Sequence, residues 1–256
     1  MTGIAPVECV RLQEDFHSWC KDTPKQRALQ LRAHTSEILL FLHRSGIHLK
    51  MKTKNDQKVS GAGPEVPGGE TSVLLHTCCA PCSSAIIEYL MKNGIRPTVF
   101  YCNPNIWPEE EYLIRKNECT RYAAALGLEI VDADYDHEAW RETVRGLEGE
   151  PERGGRCLQC FRLRLCRTAE YAHTHGFHVI TTTLASSRWK SLDQINEAGE
   201  YAASLYPDVT WWDRNWRKGG LQERRLQLIR DYGFYNQQYC GCEFSMKSLA
   251  APDIVK

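Results

Sequence analysis

Seven of the chain's twelve cysteines fall into three tight groups along the sequence. Thiolates bind iron–sulfur clusters and zinc, and a pair of thiols can exchange two electrons. In a reducing compartment, clustered cysteines more often bind metal or carry out redox chemistry than form structural disulfides. The other five cysteines stand apart, and we interpret them as ordinary buried or surface thiols. The grouped residues are Cys78, Cys79, Cys82, Cys157, Cys160, Cys240 and Cys242.

The first two groups supply enough thiolates for a four-ligand metal site. Cys157 and Cys160 are three residues apart, so one helical turn can present both sulfurs on the same face. Cys78 and Cys79 are adjacent, and a strand-to-helix turn would let their side chains diverge around a cluster. A helix that begins near Cys82 would favour thiolates through its exposed N–H groups. The spacing therefore indicates a metal site and favours an iron–sulfur cluster.

Zinc is the alternative to a cluster at this site. Cys79-x-x-Cys82 together with Cys157-x-x-Cys160 would also fit a tetrahedral four-thiolate zinc site. The separation between these pairs is longer than in compact zinc ribbons, and a zinc site leaves Cys78 without a role. The spacing alone leaves both metals open.

The third group, Cys240-Gly241-Cys242, has a different chemistry. A disulfide that spans a single residue closes a very small ring, which makes the bond easy to reduce. Gly241 supplies the backbone freedom that such a ring needs. We interpret the pair as a redox dithiol, while two further metal ligands or a chance pairing remain alternatives.

The chain before the cysteine groups divides into two stretches of different character. Residues 1–50 carry a helical apolar face that includes Leu39 and Phe41, and we predict an N-terminal helical extension. Residues 51–71 are polar, rich in Gly and Pro and without periodicity, which predicts a flexible linker. We assign residues 72–250 to a catalytic domain.

From residue 72 onward, short apolar runs alternate with helical segments. Repeated β-α units with continuous apolar strands predict a parallel sheet covered by helices on both faces, a three-layer Rossmann-like α/β fold. Ligands on such sheets bind at the carboxyl ends of the strands, where the first cysteine group lies. The predicted strands are 72–76, 96–101, 128–131, 179–184 and 209–212, and the predicted helices are 83–93, 109–126, 157–175, 191–205 and 220–232.

Five stretches of the sequence resemble the epoxyqueuosine reductases of the QueH type, the cobalamin-independent class. They occur in the order of that family over about two thirds of the chain. They are LLHTCCAPCS (74–83), NPNIWPEEEY (103–112), RCLQCFRLRL (156–165), TTTLASSRWKSLDQINEAG (181–199) and YGFYNQQYCGCEFS (232–245).

The resemblance implies an oxidoreductase that performs the last step of queuosine biosynthesis. Its substrate would be epoxyqueuosine at the wobble position of tRNA anticodons, whose epoxide is reduced to the alkene of queuosine. The resemblance also implies a core similar to the adenine-nucleotide-hydrolase-like α/β sheets. An external electron donor would have to restore the enzyme after each turnover.

The resemblance further assigns roles to the grouped cysteines. The expected ligands of a [4Fe-4S] cluster are Cys78, Cys79, Cys157 and Cys160. Cys240 and Cys242 would be the redox-active pair that closes a disulfide bond. The family leaves room for an additional iron ion beside the cluster, for which Cys82 would be a ligand.

Basic and aromatic residues at the same predicted sheet edge suit an anticodon loop, which proteins hold by stacking and by phosphate contacts. We expect substrate contacts from Asn103, Arg188, Trp189 and Lys190. Candidate proton donors follow the third strand at Asp132, Asp134, Asp136 and His137, with Tyr101 and Tyr239 as alternatives. Further candidates for RNA contacts are Arg153, Arg156, Arg162, Arg164, Arg167, Arg214, Trp216, Arg217 and Lys218.

Composition and termini limit the location and the partners. Lys+Arg and Asp+Glu each number 32, so net charge neither favours nor excludes an RNA partner. No apolar stretch is long enough to span a bilayer, and the first residues lack the order of a secretory signal. We expect a cytoplasmic protein without membrane contact.

Two other functions compete with the reductase. One is a zinc-binding, RNA-interacting protein without redox activity, in which the Cys-Gly-Cys segment is structural. The other is an ATP-using sulfur transferase or pyrophosphatase, since related sheets bind adenine nucleotides. That second function requires a glycine-rich phosphate loop after the first strand, and the TCCAPC turn contains no glycine.

Overall fold

The computed structural model describes residues 63–133 and 135–246. The predicted extension over 1–50 and most of the predicted linker over 51–71 lie outside the described residues. Residues 63–71 include a 3₁₀ turn, Pro67–Gly69, preceded by the buried Val66. The division into extension, linker and catalytic domain stays a prediction.

Five parallel strands form one sheet in the order β3-β2-β1-β4-β5. This arrangement confirms the predicted Rossmann-like α/β fold. The chain leaves β1 towards β2 and β3 on one side and returns to β4 and β5 on the other, so β1 and β4 border the switch point of the sheet. The strands are β1 (Ser72–His76), β2 (Arg96–Tyr101), β3 (Ile130–Asp132), β4 (Val179–Thr182) and β5 (Thr210–Trp211).

Seven helices are present in the described part of the chain, five of which were predicted to within three residues at each end. None of them is both long and apolar enough to cross a membrane. They are α1 (Ala80–Lys92), α2 (Glu109–Ala125), α3 (His137–Thr143), α4 (Gly155–His175), α5 (Leu192–Ser204), α6 (Leu221–Tyr232) and α7 (Glu243–Met246).

The differences from the predicted elements have local causes. Helix α1 begins three residues earlier than predicted because Pro81 is tolerated in a first turn, where its missing N–H costs nothing. Strand β4 ends at Thr182, whose hydroxyl accepts the N–H of Leu184 and opens a 3₁₀ turn, Thr183–Ser186. Helix α3 was missed because seven residues are too few to show helical periodicity, although the Asp136 carboxylate caps it.

A buried histidine joins the carboxyl ends of the three central strands. His76 Nδ1 accepts a hydrogen bond from the Thr182 hydroxyl at 2.7 Å, and its Nε2 donates to the Cys102 carbonyl at 3.0 Å. Burial lowers the pKa of His76 to about 3, so the ring is neutral and keeps one nitrogen free to accept. These two hydrogen bonds therefore hold the carboxyl ends of β1, β2 and β4 in register, next to the turn that carries the first cysteine group.

Gly199 marks the closest contact between helix α5 and the sheet, and it gives the first prediction. A Cβ at this position would lie 2.2 Å from ring carbons of Trp211 on β5. We expect Gly199→Ala to lower the free energy of unfolding by about 1–3 kcal/mol, because overpacking forces the ring or the helix to move. Chemical denaturation measures the change.

The matched control is Gly149→Ala, because no atom lies within 4 Å of a Cβ built at Gly149. This variant should unfold like the unmodified chain. Equal unfolding free energies for the two variants would contradict the prediction.

Candidate metal and redox site

Three thiols meet where strand β1 gives way to helix α1. Cys78, Cys79 and Cys82 place their sulfurs within 4.8 Å of one another. Cys79 immediately precedes the helix, and Cys82 lies in its first turn. The turn separates the adjacent side chains of Cys78 and Cys79, whose sulfurs are 3.8 Å apart. Such a group of sulfurs could bind a metal ion.

The three thiols do not hold their protons equally. Hydrogen bonds from the Cys79 and Cys82 thiols hold the pKa of Cys78 well below its usual range. The same interaction with Cys78 raises the pKa of Cys82 to about 11. Cys78 is therefore the first of the three to become a thiolate, the form in which cysteine binds metal.

Helix α4 supplies the second pair of predicted ligands. Cys157 and Cys160 lie one turn apart near the start of this helix, as the spacing predicted. Burial raises the pKa of Cys157 to about 11 and raises that of Cys160 as well. Both thiols are outside the group that Cys78, Cys79 and Cys82 form, so a metal held by all four predicted ligands would bridge the turn and the helix.

A hydrogen-bond donor faces the sulfur of each cysteine at the end of β1. The Thr183 hydroxyl donates to Cys78 Sγ at 3.4 Å, and its oxygen also accepts the Cys78 N–H at 3.1 Å. The side-chain amide of Gln237 donates to Cys79 Sγ at 2.8 Å. Donors of this kind favour the thiolate form of the sulfur that they reach.

The sulfurs of Cys157 and Cys160 on helix α4 also have hydrogen-bond donors beside them. The backbone N–H of Arg153 donates to Cys157 Sγ at 3.3 Å, and the guanidinium of Arg164 lies 3.9 Å from Cys160 Sγ. Each of the four predicted ligands thus has its own N–H or O–H donor. This donor set fits sulfurs that carry negative charge in a metal–thiolate group.

Cysteines from all three sequence groups line one cavity of about 480 Å³. The lining contains Cys78, Cys82 and Cys157 together with Cys240 and Cys242. Burial raises the pKa of Cys242 to about 12, so this thiol is protonated at neutral pH. One cavity therefore gives a substrate access to both cysteine groups.

The backbone carbonyls around Gly241 are held in place by neighbouring donors. The Arg115 guanidinium donates to the carbonyls of Tyr239 at 3.3 Å and Cys240 at 3.2 Å. The N–H of Trp107 donates to the Gly241 carbonyl at 2.8 Å. These hydrogen bonds, which we call the clamp, fix the backbone of residues 239–241 and do not involve the sulfur of either cysteine.

Gly241 itself is required by the clamp. Its φ is +107°, a conformation that L side chains rarely adopt, and an added Cβ would lie 2.9 Å from Ile106 and 3.1 Å from Arg115. Arg115 is held in turn by an ion pair with Glu111 at 2.6 Å, and both side chains are buried. The position of the dithiol segment therefore depends on helix α2.

A braced loop forms the rim of the cavity. The Arg153 guanidinium donates to the carbonyls of Arg188 and Trp189, and that of Arg217 donates to the carbonyls of Ser187 and Lys190. The Trp189 side chain lines the cavity and is 68% exposed, although its backbone is fixed. A rigid backbone that carries an exposed indole suits the stacking of a flat ligand.

The four residues predicted to contact substrate occupy different depths of the site. Arg188 lies over the Trp189 ring at 5.3 Å. Lys190 lines the cavity. Burial lowers the pKa of its ammonium, but the nearby sulfurs of Cys240, Cys78 and Cys82 have the larger combined effect, so the pKa is raised. Asn103 also lines the cavity and is fully buried.

Several other residues suggested by sequence have a different environment. Trp216 is 1% exposed, so its ring packs in the core. Asp132 binds Lys116 and the Tyr112 hydroxyl, and His137 pairs with Glu243. Asp134 lies outside the described residues. Asp132, Asp136 and His137 are absent from the cavity lining, in which Glu152 is the one carboxylate among the described residues.

Three residues that contact the cysteine segments were not among the candidates predicted from the sequence. Thr183, Gln237 and Arg115 come from a 3₁₀ turn, a loop and helix α2, and each lies more than 100 residues from the cysteine that it contacts. Thr183 and Gln237 lie inside stretches that carried the family resemblance, which was the available signal.

Comparisons with known proteins identify the family to which the chain belongs. The family model described as "Epoxyqueuosine reductase QueH" matches residues 73–248. A relative from Haemophilus influenzae, named epoxyqueuosine reductase QueH, is 49% identical over 183 residues, which is 72% of this chain and 75% of the relative.

Relatives with the same name occur in distant bacteria. The protein from Acinetobacter baylyi is 46% identical over 72% of this chain and 84% of its own length. That from Thermotoga maritima is 33% identical over 68% of this chain and 90% of its own length. The matched residues include both cysteine groups and the clamp described above. The chain belongs to the epoxyqueuosine reductase QueH family.

Proposed function

We propose that this chain reduces the epoxide of epoxyqueuosine in tRNA to the alkene of queuosine. In this proposal Cys78, Cys79, Cys157 and Cys160 hold a [4Fe-4S] cluster, and Cys240 and Cys242 form the redox-active pair. The observation that carries the proposal is that two proposed ligands, Cys78 and Cys157, line the same cavity as the redox pair, and a donor reaches each of the four ligand sulfurs.

The stoichiometry of the reaction matches a dithiol. Conversion of the epoxide to an alkene breaks both carbon–oxygen bonds and consumes two electrons and two protons, with water as the second product. Oxidation of the Cys240/Cys242 dithiol to a disulfide releases two electrons and two protons. An external reductant then converts the disulfide back to the dithiol.

A bound cluster would supply electron transfer one electron at a time. The chain's own residues provide its surroundings: Thr183, Gln237, Arg153 and Arg164 each donate to one ligand sulfur. We assign Cys82 to an additional iron ion, because its sulfur belongs to the same group as those of Cys78 and Cys79.

The rim and the floor of the cavity suit different parts of an anticodon loop. A cavity of about 480 Å³ falls within the usual range of ligand pockets, so a nucleobase flipped out of the loop can enter it. The exposed Trp189 then offers a stacking face to a neighbouring base, with Arg188 beside it. Lys190 lies inside the cavity, where its ammonium can donate to the epoxide oxygen.

The overall test is anaerobic reconstitution followed by incubation with epoxyqueuosine-containing tRNA and a reductant. Nucleoside analysis should show queuosine, and the protein should be brown with equimolar iron and sulfide. Colourless protein that contains zinc and converts no substrate would favour the zinc-binding RNA protein instead. We expect this chemistry in the cytoplasm, where reductants keep thiols reduced.

Cysteine substitutions separate the two cysteine groups. We expect Cys78→Ala to lose the cluster, because Cys78 is a proposed ligand and has the lowest pKa of the three thiols at the end of β1. Cys242→Ala should keep the cluster but stop after at most one turnover, because no disulfide can close. Iron and sulfide analysis and multiple-turnover kinetics measure these effects.

Cys166→Ala is the control for removal of a buried thiol from helix α4 away from the cavity lining. It should retain both the cluster and turnover. Full multiple-turnover activity of Cys242→Ala would refute the dithiol role.

The clamp around Gly241 gives a third prediction. Gly241→Ala should displace the dithiol segment, because the new Cβ would crowd Ile106 and Arg115 and the backbone would be strained by about 1–3 kcal/mol. We expect faster alkylation of the buried Cys242, measured by mass spectrometry, together with slower turnover.

Gly233→Ala provides the matched control, since Gly233 has a φ of +60° but no atom within 4 Å of an added Cβ. It carries a similar backbone penalty outside the cavity lining. Identical alkylation rates in the two variants would show that strain alone, and not the clamp, controls access to Cys242.

Replacement of the exposed indole tests the substrate contact. Trp189→Leu should weaken tRNA binding by about 1–3 kcal/mol, the usual contribution of one base stacked on an aromatic ring. Trp189→Phe should retain most of the affinity because it keeps an aromatic face. Binding isotherms at fixed salt measure both, and equal affinities of the two variants would count against stacking.

A further inference from the structure

Arg164 is a buried cation on helix α4, one turn after Cys160. Its side chain is almost wholly enclosed, and the residue is 2% exposed. Its Nε donates to the Cys102 carbonyl at 3.2 Å, its Nη2 donates to Asn103 Oδ1, and its Nη1 lies 3.9 Å from Cys160 Sγ. All three nitrogens of the guanidinium therefore have a partner, and the partner of Nη1 is the sulfur of Cys160.

The contacts of Arg164 do not include an opposite charge. Among the residues that the structure describes, none of the ion pairs involves Arg164, and its hydrogen-bond acceptors are a carbonyl, an amide and a thiol. Burial of a guanidinium without a counter-ion is costly, and buried charges in native proteins are normally paired. The contacts thus indicate a negative charge that forms in the adjoining cavity.

Three other arginines that line the cavity are held by different groups. Arg115 pairs with Glu111, Arg156 donates to the carbonyls of Glu148 and Glu150, and Arg153 braces the rim loop. Among the described residues, Arg164 is the arginine whose guanidinium contacts the sulfur of a predicted metal ligand.

Asn103 fixes the direction of this contact. Its Oδ1 accepts from Arg164, and its Nδ2 donates to the carbonyl of Thr77 at 2.9 Å. Thr77 directly precedes Cys78, so one amide connects the arginine with the turn that carries the first ligands. Both ends of the Asn103 amide are used in this way, which makes it a positioning residue for Arg164.

We propose that Arg164 is the counter-ion of the metal–thiolate group at Cys160 and, with a cluster bound, raises its reduction potential. The inference rests on the proposed function only for the identity of the metal group. A positive charge stabilises the reduced form of a cluster because reduction adds negative charge, and hydrogen bonds to ligand sulfur act in the same direction. Arg164 would thereby make the bound cluster easier to reduce.

The test compares Arg164→Met and Arg164→Lys with the unmodified full-length protein after anaerobic reconstitution. Redox titration followed by EPR spectroscopy should show a more negative midpoint potential for Arg164→Met, because this variant removes the charge and keeps the bulk. Arg164→Lys should lie between the two, since it keeps the charge but loses the planar fork.

A second measurement does not depend on electron transfer. A counter-ion for the metal group should increase the stability that the bound metal confers, so the difference in melting temperature between loaded and apo protein should shrink in Arg164→Met. General damage to the fold affects the loaded and the apo protein alike and largely cancels in this difference.

Arg162→Met is the matched control, because Arg162 lies on the same helix but pairs with Glu197 and does not line the cavity. It should leave both the potential and the melting difference unchanged. The proposal is overturned if Arg164→Met matches the unmodified protein in both measurements. If the unmodified protein takes up zinc and no cluster, the proposed function fails, and the melting difference measured with zinc still decides the role of Arg164.

Discussion

Hydrogen bonds donated to sulfur are the interaction on which this site depends. Sulfurs gathered in an enclosed cavity can carry negative charge only if nearby donors and cations compensate it. Every predicted cluster ligand has such a donor, and the donors are a hydroxyl, an amide side chain, a backbone N–H and a guanidinium. They come from separate segments of the chain, so the site exists only after these segments have come together.

The strand order explains how those segments meet. β1 and β4 are neighbours at the switch point, so the turn after β1 lies beside the 3₁₀ turn after β4. That adjacency brings Thr183 to Cys78, and the neutral His76 holds the ends of both strands together. Helix α4 leads directly into β4, which places Cys157 and Cys160 at the same edge. The cysteine chemistry thus follows from the general rule for ligand sites on doubly wound sheets.

The sequence was sufficient for the parts of this protein that local patterns encode. Apolar runs identified β1 and β2 to the residue, and the three-residue spacing put Cys157 and Cys160 on one helical face. Contacts between distant segments could not be predicted in this way. Gln237 lies 158 residues from Cys79, and Arg115 lies 125 residues from Cys240, and no periodicity relates such positions.

The burial of charged and aromatic residues at the site could not be predicted from the sequence either. Arg164 and Trp216 were candidates for RNA contacts, because basic residues beside aromatics at the predicted sheet edge suit an anticodon loop. Both are buried, and burial changes what they can do: Trp216 packs in the core, and Arg164 meets a sulfur.

Arg153 connects the metal side of the cavity with its rim. Its φ of +68° is a conformation that costs a non-glycine residue free energy, and such strain persists only where the surroundings enforce it. Here the enforcing contacts are its N–H to Cys157 Sγ, its guanidinium to the Trp189 loop, and its carbonyl, which accepts from Gln194 at 2.9 Å. Because a single strained residue makes all three contacts, the rim loop cannot shift without moving the N–H that faces a ligand sulfur. The surface suited to RNA and the thiols suited to metal are therefore parts of one mechanical unit.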